Sequence, residues 1–235
     1  MPSVTLQVAA SGDDGFAIGP VGSEIRTAAT SVSIDQSFVS FGTTDTDAGF
    51  RRAVWVRFTG ATPPQFAGID SAVLTCTGQN GESSSVESVI EGFSEGNPAA
   101  PVSAADWNSR TFTAASVTWD FNDTWTDNLE FASPDIRAVI QEVVQHVDYR
   151  QGHAIMVAIL DDLNTDSARR RSYESYDGVP AQATTLALTY TGGGTGYRYA
   201  PPATAGPTLV TGVPASPVTL SVGVPAGDDE YIYGV

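Results

Sequence analysis

Up to Thr191 the chain sets apolar against polar positions in short runs: SVTLQVAA, TSVSIDQSFVSFG, RAVWVRFTG, IDSAVLTCTG, SVESVIEGF, SVTWDF, HAIMVAIL, RRSYESYD and TTLALTYT. They are rich in Val, Ile, Thr and aromatic residues, which fit a pleated surface, and most are closed by Gly, Pro, Asn or Asp. This density of short strands with turn punctuation predicts an all-β, antiparallel sandwich.

One stretch has a different period. In SPDIRAVIQEVVQHV the apolar residues Ile136, Val139, Ile140, Val143 and Val147 recur at helical spacing, while Arg137, Gln141, Glu142 and Gln145 fall on other faces. Ser133 suits the N-cap, Pro134 the first helical position, and Asp135 the first turn, where negative charge meets the helix dipole. The spacing predicts one amphipathic helix over 133–147, packed on the β fold.

After Thr191 the pattern changes again. Residues 192–235 hold 15 Gly or Pro and four charged residues, too little apolar material for a core of their own. Within this arm SPVTLSVGV follows Pro217 with Val218, Leu220, Val222 and Val224 on one side of an extended chain. That alternation suits a strand added to another protein's sheet edge, so these five residues are the expected partner-binding positions. Extended, the arm reaches on the order of 100 Å. The expected organisation is a sandwich over 1–191 and an extended Gly/Pro-rich arm over 192–235.

Charge narrows the partners. Asp and Glu outnumber Lys and Arg 27 to 11, the formal net charge is −16, and every basic residue is arginine. Such a surface repels phosphates, which disfavours nucleic acid and leaves neutral or cationic ligands or other proteins as the expected partners. No window is long and apolar enough to span a membrane, and MPSVTLQVAAS has neither the basic segment nor the apolar core of a secretory leader. The expectation is therefore no membrane partner and no export by that route.

Candidates for chemistry are few. Cys76 is the single cysteine and sits in the alternating run SAVLTCTG, where a buried thiol is expected. His146 near the predicted helix end and His153 at a strand start show no metal-ligand spacing, and no nucleophile-elbow motif occurs. Acidic pairs are numerous, but sequence does not give the separation that acid–base catalysis needs, and the expectation is no enzymatic activity. Clustered oxygen ligands in SGDDGF and DDLNTD make a structural calcium ion the one cofactor candidate, with Asp13 and Asp14 as its ligands; Asx-turn capping is the competing role. Of Trp55, Phe58, Trp107, Trp119 and Trp125 at least three are expected in the core, and Trp107 and Tyr176 are the candidates for a stacked sugar face.

The triple arginine of RRRSYESYDG resembles a phosphate grip until it is laid on a strand. Alternation sends Arg170, Ser172, Glu174 and Tyr176 to one face and Arg169, Arg171, Tyr173 and Ser175 to the other. The cluster therefore splits, Asp177-Gly178 makes a turn, and Glu174 is placed to pair with an arginine. Arg169 and Arg171 are candidates for bidentate contacts to a partner protein.

SGDDGFA, RRAVWVRFTGATPPQFAGIDSAVLT, NSRTFTAASVTWDFNDTW, SPDIRAVIQEVV and RRSYESYDGVPAQATTLALTYT follow one another in an order that resembles the DNRLRE-type jelly-roll modules, relatives of carbohydrate-binding modules. The resemblance spans about Val4 to Thr191. Ile69, Ser71, Ala72 and Leu74 match a core-strand phrase of those modules, and Ser133–Val147 matches a helix packed over the sandwich. It implies a two-sheet jelly roll with adhesive, structural or sugar-binding duties. The modules occur in bacterial exported proteins and in phage-associated proteins. Combined with the arm, it gives the expectation of a virion structural protein, a capsid decoration (cement) or tail or fibre component, assembled in the host cytoplasm. Its partners would be other virion proteins and itself; a module that binds glycans is the alternative.

Overall fold

The computed structural model describes residues 1–43, 49–82, 85–122, 124–161 and 169–192. Pro217, Val218, Leu220, Val222 and Val224, and the acidic run from Asp162 to Asp166, lie outside them. The chain divides into two units, Met1–Thr195 and Gly196–Val235, and every described residue belongs to the first.

The fold is mostly β, in two antiparallel sheets with two helices. Its elements are β1 (Ser3–Gln7), β2 (Asp14–Pro20), β3 (Ser31–Ser33), β4 (Phe38–Thr43), β5 (Phe50–Phe58), β6 (Gly68–Thr77), β7 (Ser88–Phe93), α1 (Ala104–Asn108), β8 (Phe112–Thr118), β9 (Glu130–Ala132), α2 (Arg137–Gln145), β10 (Ile155–Asp161), β11 (Arg170–Glu174) and β12 (Thr185–Thr191). The first sheet has the order β1-β12-β6-β9. The second runs β11-β4-β5-β10-β7-β8, with β2 also on β5 and β3 on β2. β2 pairs along 50–56 of β5 and so fills one of its edges, which leaves β4 (at Arg51 and Arg52) and β10 (at 54–58) to share the other.

Two apolar layers explain why HAIMVAIL reads as an unbroken hydrophobic run. Val54, Val56 and Phe58 of β5 and Ile155, Val157 and Ile159 of β10 face the first sheet, where they meet Leu74, Leu186 and Leu188. Ala53, Trp55, Met156, Ala158 and Leu160 face the other way, into a second cluster with Ile25, Phe93 and Trp107. A strand covered on both faces has no polar alternation to show. Each fully buried Val, Ile or Phe contributes about 2 kcal/mol of transfer free energy, so this pair of strands concentrates the apolar stabilisation of the domain.

Helix α2 is shorter than predicted. It begins after Ile136, and no side chain caps it there. Ser133, Pro134 and Asp135 instead continue the edge of β6. The Leu74 N–H donates to Ser133 Oγ (3.0 Å), and the Ala72 N–H donates to Asp135 Oδ1 (3.0 Å), which also accepts from the Arg137 N–H (3.0 Å). Pairing with a strand outcompetes the first helical turn because it satisfies β6 donors that would otherwise be buried. Ile136, Val139, Ile140 and Val143 form the buried face, as their spacing predicts, but Val147 lies beyond the helix and is exposed. The second helix, α1, is a single turn capped by Ser103 Oγ on the Asp106 N–H, too short for periodicity to reveal.

The SGDDGF segment is also more regular than predicted, because β2 starts at Asp14. Gly15 stands directly opposite Trp55, and a Cβ there would lie 2.4 Å from the Trp55 ring and 2.5 Å from the Ser33 carbonyl oxygen. Gly15→Ala is expected to destabilise the fold by about 3 kcal/mol through overpacking, whereas Gly12→Ala, whose nearest neighbour would be 4.0 Å away, stays within about 1 kcal/mol. Urea denaturation of the two variants checks this.

Candidate functional site

The structure brings together two of the predicted site elements, the Asp13–Asp14 pair and Tyr176, at one rim of the sandwich. Three segments meet there: 11–14 leading into β2, 35–37 leading into β4, and 175–178 leaving β11. The Tyr176 N–H donates to Asp14 Oδ2 (2.9 Å), Ser11 Oγ donates to Asp177 Oδ2 (3.0 Å) and also contacts Asp35 Oδ1, and Ser175 Oγ donates to the Gln36 carbonyl. Asp35 takes a left-handed φ of 58°, which lets the chain turn sharply beneath Ser11. The loops are thus tied by side-chain bonds where no sheet ladder runs.

Asp13 and Asp14 are buried, at 5% and 2% exposure. Asp13 pairs with the Arg57 guanidinium at 2.6 Å, and Arg57 also donates to the Pro98 carbonyl (2.7 Å). Among the described residues no such cation pairs with Asp14. Burial pushes its carboxyl up to about 7; the Tyr176 N–H opposes this, and the nearby charges of Asp177 and Asp13 add to it. These acids do not make a cation cage. Among the described residues no group of three or more His, Cys, Asp or Glu is arranged to hold a metal ion, and a divalent cation at Asp13 would compete with Arg57. In this structure Asp13 forms an ion pair and Asp14 ties a turn, the Asx-type roles that compete with calcium binding. Asp161 is buried in β10, and the rest of its acidic run lies outside the described residues.

Beneath the rim, Cys76 is fully buried and accepts from Thr184 Oγ1 at 3.5 Å, and burial pushes its thiol up to about 12. A thiol held so far above neutral pH is not a nucleophile. Tyr173 is likewise buried, and burial keeps its phenol protonated.

The other predicted site residues lie elsewhere. Trp107 is no sugar platform: it is fully buried in the second cluster, its Nε1 donates to the Ile25 carbonyl (2.8 Å), and its ring packs on Trp55, Phe93 and Phe112. Tyr176 is half-buried against the core edge. The alternation of RRRSYESYDG holds, but the inward arginine is interior. Arg171 is fully buried, its guanidinium lies 5.8 Å from the Phe121 ring centre, and its Nη1 donates to the Arg170 carbonyl (2.9 Å), so it is not an outward partner contact. Arg169, partly exposed, donates to Ser85 Oγ (2.7 Å). Glu174 is buried, with its carboxyl raised by burial and by Asp127. It is Glu82, not Glu174, that pairs with an arginine of this run, contacting Arg170 at 2.9 Å while accepting from the Ser172 N–H (2.6 Å).

Sequence reasoning missed one feature entirely, an edge of the first sheet beyond which no described strand lies. The Tyr190 N–H donates to the Pro2 carbonyl and the Val8 N–H to the Thr184 carbonyl, which fixes even-numbered residues of β1 as those bonded to β12. Ser3, Thr5 and Gln7 therefore turn their N–H and C=O groups outward, where no described strand pairs with them. No local signal distinguishes an edge strand from a central one here, since SVTLQ carries no charge or proline.

Comparison of the chain with protein-family models and with curated proteins gave no match.

Because Asp14 is raised in the folded state relative to about 4 in an unfolded chain, its contribution is most favourable below pH 4 and is lost as pH rises through 7. Asp14→Asn is thus expected to gain stability over the native chain as pH rises from 5 to 8, by roughly 2.5 kcal/mol. Melting temperatures of both proteins across that range test it, and a constant difference contradicts it.

Proposed function

We propose that this chain is a non-enzymatic structural subunit of a tailed-phage particle, a capsid decoration (cement) protein or a tail or fibre component. Its sandwich body would be held to neighbouring subunits by residues 192–235. The observation that carries this reading is where the chemically capable side chains lie. Trp107, Arg171 and Cys76 are interior, Asp13 is neutralised by Arg57, and the rim acids tie loops together. What the body presents outward is an acidic surface and, among the described residues, a strand edge without a neighbour, features of a part that assembles with others. The resemblance of its ordered motifs to DNRLRE-type modules supports the particle setting, and the net charge of −16 keeps free subunits apart until specific contacts form.

The partners on this reading are other virion proteins and further copies of the chain, with neither nucleic acid nor membrane engaged. Among the described residues no helix is long and apolar enough to cross a membrane. Deleting 192–235 is expected to leave a folded body with unchanged circular dichroism that no longer assembles or binds particles in light scattering and co-sedimentation. Normal incorporation of the truncated body would contradict the anchoring role. The glycan alternative retains the half-exposed Tyr176 ring but not Trp107; glycan-array binding lost on Tyr176→Ala would favour it.

A further inference from the structure

We infer that the outer edge of β1 is the acceptor for the arm of a second copy, with residues 217–224 of that copy pairing as an added antiparallel strand of the first sheet. This rests on the anchoring reading above and names its partner surface. Four observations carry it.

The other sheet margins are blunted. β8 is bulged, and the N–H groups of Ala114 and Ala115 are taken by the Glu142 carboxylate at 2.9 Å each. β11 is closed by the Gly78 bridge to Tyr173, by the Gln79 N–H on the Ser172 carbonyl and by Glu82 on the Ser172 N–H. β3 and β9 are three residues each. β1 alone among the described margins offers a regular, five-residue edge, with Ser3, Thr5 and Gln7 directing backbone donors and acceptors outward.

The side chains match. Val4 and Leu6 are inward-facing but only partly covered by the core, as expected of a margin that lacks its next strand. In the arm, Val218, Leu220, Val222 and Val224 alternate with Thr219, Ser221 and Gly223. Laid beside β1, that apolar side covers Val4 and Leu6 and extends the interior, while the small polar side continues the exposed row of Ser3, Thr5 and Gln7.

Charge permits it. Neither 3–7 nor 216–224 contains a charged residue, so two copies of net charge −16 meet here without opposed carboxylates.

Chain length and exit point also fit. β12 ends at Thr191, beside the start of β1, and roughly 25 residues separate it from Pro217, a reach of up to about 85 Å, ample for a neighbouring body.

The test uses the full chain in two separately tagged forms, Thr5→Cys and Ser221→Cys; the native Cys76 is fully buried and does not compete. After mixing, a short bis-maleimide is expected to join the two tags, and Leu220→Asp/Val222→Asp in the Ser221→Cys form is expected to abolish the product. Thr5→Pro removes an outward N–H without breaking a bond to β12 and is expected to weaken assembly at least tenfold with the melting temperature nearly unchanged. Should Thr5→Pro fail to fold, the arm substitutions lie outside the sandwich body and give the same readout. Cross-linking between two Thr5→Cys chains overturns the inference, as does cross-linking confined within single chains of a third form that carries both Thr5→Cys and Ser221→Cys. So does assembly that persists without any Thr5–Ser221 product, in which case the arm still anchors but on another surface. If the chain truncated after Thr191 assembles normally, the anchoring reading itself fails.

Discussion

The domain depends on burying one pair of strands, β5 and β10, on both faces. Their alternate residues feed two apolar layers, one between the sheets and one beneath α1 and the segment around Ile25. This constraint explains the placement of much else. Trp107 and Trp55 are drawn into the second layer, because a sheet face of Ala53, Ala158 and Leu160 needs large side chains to fill it. Gly15 must remain bare so that Trp55 can lie across β2. The layer that swallows Trp107 removes the most obvious candidate for a sugar platform.

The same interior accounts for the electrostatics of the rim. With β2 pinned over β5, Asp13 and Asp14 are carried below the surface, and their fates differ by one neighbour. Arg57, from β5 itself, reaches Asp13 and holds it as an ion pair; among the described residues Asp14 receives a backbone N–H from Tyr176 and no cation, and is destabilised in its charged form. Among the described residues this buried carboxyl lies near Asp177 with no cation against it, which raises it toward neutral pH. Its evident work is to tie the 175–178 turn to the start of β2.

Much of this architecture was legible in the chain. Most announced strands stand where expected, but TSVSIDQSFVSFG divides into β3 and β4 and SVTWDF reaches β8 only at 116–118, while Ile136, Val139, Ile140 and Val143 bury the predicted helix face. Failures came where tertiary pairing overrode local preference. Ser133 looks like a helix cap but serves the edge of β6, Asp135 is shared between β6 and the first N–H of α2, and Asp14 looks like a loop ligand but opens a strand. Burial was the least legible property at the candidate sites: nothing local to Arg171 or Trp107 reveals that an aromatic cluster or a second layer will enclose them. That no described strand lies beyond β1 is a property of strand order, which no single segment encodes.

The central claim is that the interior absorbs the chemistry and leaves a strand edge as the working surface. Residue-resolved amide exchange of the full chain, at concentrations where it assembles, tests this most directly against the same measurement on residues 1–191. The account predicts that Val4 and Leu6, bonded to β12, exchange slowly in both, while Ser3, Thr5 and Gln7 exchange fast in the shortened chain and slowly in the assembled one. Equal, rapid exchange of those three amides in both would contradict it.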